Sequence, residues 1–220
     1  MATLFVLTAG LSTPSTSRQV ADTVAEAVAR AARRRGGDIA TETVELRELA
    51  TDLAHATTTG TSAPRLDEVR RRLSSADALV AVTPVFKASY SGLFKMFFDV
   101  LDADALNAMP TIIAATAGTA RHSLVTEYAL RPLLTFMRAV VVPTALFAAT
   151  GDFGGPGSAE FSARVERAAT ELAELLFPAQ ADRAGGGGGA AGARPRKTGL
   201  DVTEDFVPFD QLLDGRTGTS

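Results

Sequence analysis

The stretch TAGLSTPSTSR, from Thr8 to Arg18, carries five hydroxyl side chains within six residues, at Ser12, Thr13, Ser15, Thr16 and Ser17. It lies between a short apolar run and a segment with helical periodicity. At a helix start the backbone amides point outward and the helix dipole favours negative charge. Serine and threonine hydroxyls there donate further hydrogen bonds. Such a loop suits a terminal phosphate monoester, with Arg18 adding charge. One hydroxyl is enough to cap a helix, so five point beyond capping. The loop is neither a GxGxxG fingerprint, since Gly10 stands alone, nor a P-loop, since no GK[ST] follows.

Two further loops carry compatible chemistry. In TPVFKASYS, Thr83 to Ser91, Pro84 fixes the chain as it leaves a strand, and Val85, Phe86 and Lys87 follow. Their backbone amides and one flat apolar side chain suit a planar ring, although core packing for Phe86 and simple solvation for Lys87 are equally open. Gly92 then allows close backbone approach near a helix start. In TAGTARHS, the residues Thr116, Ala117, Gly118 and Thr119 offer open backbone and hydroxyls. His122 is a weak catalytic candidate, because a histidine in such a place more often caps a helix or packs. Together the three loops read as a mononucleotide site, with the phosphate on the first.

The elements that must position these loops alternate between strand and helix. Thr3 to Leu7 and Ala78 to Val82 are continuous apolar runs, as in strands buried on both faces of a parallel sheet. Ile39 to Leu46 is more polar and suits a sheet edge. Thr111 to Ala115 and Val140 to Ala148 complete the strands. Helical patterns cover Ser17 to Arg34, Leu66 to Ser74, Ser91 to Leu101, Ser123 to Arg138 and Ala159 to Leu176. Gly36-Gly37 stops the first of them, and Pro132 must kink or break the fourth. Five βα repeats predict parallel strands with helices on both faces. In that architecture ligands bind at the carboxyl ends of the strands, where strand order reverses.

The bulk properties exclude several classes. A net charge of −3 argues against a nucleic-acid or anionic-membrane partner. Without cysteine there is no disulfide, thiolate nucleophile or cysteine metal site. His55 and His122 lack metal-ligand spacing, so no metal is expected. The first residues lack a basic leader and a membrane-length apolar run, which predicts a cytoplasmic protein. The organisation expected is one domain over 1–177, a flexible glycine-rich linker over 178–199 and a tail over 200–220. The tail segment from Phe206 to Leu213 is apolar enough to dock on a surface.

At TPVFKASYSGLFKMFFDVLD and TAGTARHSLVTEYALRPLLTFMRA the sequence resembles the NAD(P)H-dependent FMN reductases of the flavodoxin-like fold. It looks closest to the branch partnered with luciferase-like and sulfonate-oxidising two-component monooxygenases. The resemblance covers about residues 1–177. It implies a doubly wound five-stranded parallel sheet in the order 2-1-3-4-5. It implies FMN as cofactor or substrate, with its phosphate at Ser12, Ser15, Ser17 and Arg18 and its ring against Pro84 to Lys87 and Thr116 to Thr119. NADH or NADPH would supply hydride with no obligatory side-chain acid or base. A flavin-dependent monooxygenase would receive the reduced FMN. Homodimers or homotetramers are implied, with the Phe94, Phe97 and Phe98 cluster and the Tyr128 segment at the interface, although plain core also accounts for the phenylalanines. A flavodoxin-type electron carrier and a quinone or azo reductase are the alternatives. The carrier is disfavoured by the absence of tryptophan and the modest charge.

Overall fold

The computed structural model describes residues 1–152, 157–178, 196 and 198. The chain opens with β1 (Ala2–Thr8), α1 (Thr16–Arg34) and β2 (Ile39–Glu45). A 3₁₀ turn over Leu46–Leu49 leads into α2 (Ala50–Thr59) and α3 (Pro64–Ser75). Next come β3 (Ala78–Phe86), β4 (Ser89–Tyr90), α4 (Gly92–Asp99) and β5 (Pro110–Ala117). A π-helical turn over Thr126–Leu130 runs into α5 (Arg131–Phe136), followed by β6 (Val140–Val141), β7 (Leu146–Ala149) and α6 (Ser158–Leu176).

The sheet order is β2-β1-β3-β5, with β6 and β7 both pairing β5 in parallel. Setting aside the two-residue β4, which pairs only β3, and counting β6 and β7 as one interrupted strand gives the expected 2-1-3-4-5 order. β1 lies between β2 (Leu4 opposite Thr41) and β3 (Leu4 opposite Ala78). Side chains alternate across each strand, which divides the core in two. Leu4 and Val6 pack with Val20, Val24 and Val28 of α1 and with Val165 and Leu172 of α6. Phe5 and Leu7 share the opposite layer with Leu53, Leu66, Phe94 and Leu134. Both faces are therefore covered, as the continuous apolar runs require. Among the described residues no helix is long and apolar enough to cross a membrane.

Three features depart from the sequence expectation. The segment from Val140 to Ala148 is two short strands, because Pro143 between them has no amide to give the ladder. Arg131 fills the gap by donating to the carbonyls of Val142 at 3.0 Å and Pro143 at 3.1 Å. Helix α2 stands where no element was expected. β3 runs on to Phe86 and turns back through β4 as an antiparallel hairpin. The expected disruption at Pro132 takes the form of the π-helical turn immediately before α5. Phe94, Phe97 and Phe98 are buried and pack on one another, so they are core and not surface.

Candidate functional site

The site begins at the end of β1, whose ladder extends to Ala9 through a hydrogen bond from its amide to the Val82 carbonyl at 2.9 Å. The chain then turns at Gly10. A β-carbon on Gly10 would lie 2.0 Å from Ser15 Oγ and 3.2 Å from Ser17 Cβ. A side chain there would displace the Ser15 hydroxyl from its cap where the loop folds back onto the start of α1. Ser15 is the N-cap of α1, its Oγ accepting from the Arg18 amide at 3.2 Å. Ser17 is buried and its hydroxyl meets Thr116 Oγ1 at 2.8 Å. That bond ties the first loop to the third across 99 residues of sequence.

These loops enclose a cleft of about 350 Å³ at the carboxyl edge of the sheet. Gly10, Leu11, Ser12, Ser15, Thr16 and Ser17 line one wall. Pro84, Val85 and Phe86 line another, and Thr116, Ala117, Gly118 and Thr150 complete it. β1 pairs β2 on one side and β3 on the other, so the cleft sits at the topological switch point. The first amides of α1 have no acceptor within the helix and add donors beside the serine hydroxyls. Phe86 is 45% exposed at the rim, which decides against the core reading. Adding a β-carbon to Gly118 would meet no protein atom within 4 Å. None of the lining residues is acidic, basic, histidine or tyrosine.

Four expected residues are placed elsewhere. Arg18 points away from the cleft: its Nε lies 2.8 Å from Asp22 Oδ1 and its Nη1 lies 2.9 Å from Glu45 Oε1. Asp22, one helical turn on, and Glu45, at the end of β2, provide paired carboxylates that the cleft does not. The hydrogen bond to Asp22 raises the Arg18 pKa above its ordinary value. Lys87 is exposed at the tip of the β3–β4 hairpin, with φ of 50°. Thr119 and His122 are both exposed and neither lines the cleft. Sequence reading missed Gly10, Leu11 and Thr150 on the wall. Thr150 follows β7, and the strand-end rule that selected the other loops applies to it equally.

Residues 2–154 match the model of the NADPH-dependent FMN reductase family. The chain belongs to that family. Among FMN reductase relatives, one from Pseudomonas aeruginosa named FMN reductase (NADPH) is 36% identical over 135 residues, spanning 60% of this chain and 73% of its own. The NADH-dependent FMN reductase SfnE of Pseudomonas putida is 38% identical over 138 residues, 62% of this chain and 74% of its own. A crystal structure of an oxidoreductase from Corynebacterium diphtheriae superimposes with a TM-score of 0.79 at 61% identity, covering 82% of this chain and 99% of its own. An apo NADH:FMN oxidoreductase, EMOB, shares the fold with a TM-score of 0.69 at 22% identity, covering 91% of this chain and 97% of its own.

Proposed function

We propose that this chain is an NAD(P)H-dependent FMN reductase that binds FMN in the switch-point cleft. The phosphate sits on the Gly10–Ser17 loop and the α1 amides, and the ring lies against Pro84–Phe86 and Thr116–Gly118. The observation that carries this reading is the cleft itself: hydroxyls and helix-end amides on one wall, an open aromatic ring on another and, among the described residues, no titratable side chain between them. FMN, when bound, supplies the two-electron acceptor. The chain's own task is then to bind, to orient and to leave one face open for nicotinamide, since hydride transfer depends on stacking geometry. The residues fit the group because Gly10 leaves the crowded turn that brings Ser15 and Ser17 together.

The names of the relatives support FMN with either NADH or NADPH. The reduced flavin leaves for a flavin-dependent monooxygenase in the cytoplasm. The working unit is a homodimer or homotetramer joined through the face on which Leu124, Tyr128 and Phe136 stand exposed. Tyr128 and Phe136 border a shallow groove shared with Tyr90 and Phe98 of the β4–α4 segment.

The deciding experiment is NADH and NADPH oxidation with FMN, FAD and a quinone as alternative acceptors. Saturation by added FMN, from protein that is colourless after dialysis, is expected. A yellow protein that keeps its flavin and turns over only with quinone would favour a quinone reductase.

A further inference from the structure

We infer that Arg47 is a positioning residue for the phosphate-binding loop and thereby sets the preference for phosphorylated over unphosphorylated flavin. The inference rests on the FMN reading above and extends it to a residue outside the cleft.

Among the described residues no charged side chain lines the cleft, so an anion there depends on neutral donors already aimed at it. The loop that carries those donors is exposed at Leu11, Ser12, Thr13 and Pro14. Its two ends are fixed, by the Ala9 ladder bond and by the Ser15 cap. Its middle is held from the β2 edge. Arg47 Nη1 donates to the Ser12 carbonyl at 3.2 Å and to Thr13 Oγ1. Among the described residues, no other side chain bonds that stretch. Fixing one carbonyl fixes a whole peptide plane, including the Thr13 amide on its opposite side.

Arg47 is itself held. Its Nη2 lies 2.9 Å from Glu45 Oε2, while the other oxygen of the same carboxylate takes Arg18 Nη1 at 2.9 Å. One largely buried glutamate thus links the middle of the loop to the first turn of α1. With Asp22, the cluster holds two arginines against two carboxylates, so it has no net charge with which to attract phosphate. Its effect is to hold the loop in place.

The test compares FMN and riboflavin, which share the ring and differ in the phosphate. Arg47→Met keeps the apolar stem and removes the donors, and Arg47→Lys keeps one donor. In flavin fluorescence titrations Arg47→Met should weaken FMN binding about tenfold or more and leave riboflavin unchanged. Arg47→Lys should fall between it and the wild type. The KM for FMN should rise with kcat at saturating FMN and the KM for NAD(P)H unchanged. Equal weakening of both flavins, or an undiminished FMN preference, overturns the inference while leaving the FMN reading intact. A wild-type protein that binds neither flavin overturns both.

Discussion

Gly10 and Ser17 carry the arrangement of the cleft at the level of single residues. Gly10→Ala puts a methyl 2.0 Å from Ser15 Oγ, so either the α1 cap or the turn must shift. The expected outcome is at least a tenfold loss of FMN affinity, measured by flavin titration. An unchanged dissociation constant would show that the turn relaxes without consequence. Ser17→Ala leaves Thr116 Oγ1 buried without its partner, at a cost of about 1–3 kcal/mol of stability, and loosens the bond between the first and third loops. Arg18→Ala should disturb FMN less than Ser17→Ala, because the guanidinium faces Asp22 and Glu45; a larger effect from Arg18 would contradict its placement. Hydroxyl density made Ser12, Ser15 and Ser17 legible in the sequence. The direction of Arg18 was only half legible: Asp22 lies at the helical i,i+4 spacing, whereas Glu45 is 27 residues away on β2. For the same reason Arg47 carried no local signal.

At the level of elements, apolar runs and helical periodicity located the strands and most helices, and failed where polar or proline residues interrupt a pattern. Helix α2, ATDLAHATTT, has only Leu53 and Ala56 buried, too narrow a stripe to announce itself. The β3–β4 hairpin was hidden for a different reason. Its turn residues, Lys87 and Ala88, both adopt positive φ, at 50° and 65°, without the glycine or asparagine that normally marks such a turn. Left-handed backbone costs a residue with a β-carbon roughly 1–2 kcal/mol. Ala88→Gly should relieve it and stabilise the protein by about 1 kcal/mol, read as a higher urea midpoint. A lower midpoint would mean that the extra chain entropy of glycine outweighs the strain. The hairpin sets where Phe86 stands at the cleft rim, so the strained turn lies next to the proposed ring site.

Across the whole molecule, the cleft occupies one edge of the sheet, and Arg196 bonds two carbonyls at the other. The sequence assigns Arg196 to a flexible linker, yet its guanidinium donates to the carbonyls of Ala76 and of Asn107, the latter at 3.1 Å. Those carbonyls precede β3 and β5, at the amino edge, away from the flavin loops. The burial of the guanidinium lowers the Arg196 pKa, against the pull of Asp77. Glycine-rich composition predicts chain that forms no core of its own, but it cannot reveal one arginine that finds two carbonyls. The expected docking segment, Phe206 to Leu213, lies outside the described residues. Arg196→Ala in the full chain removes charge-assisted donors from two backbone acceptors, and the expected loss is about 1–3 kcal/mol of stability. FMN affinity should hold, because the cleft is at the opposite edge. Denaturant unfolding and flavin titration on the same variant separate the two effects. An unchanged unfolding midpoint would mean that water serves those carbonyls as well as Arg196 does, and a weakened flavin affinity would mean that the two edges of the sheet are coupled.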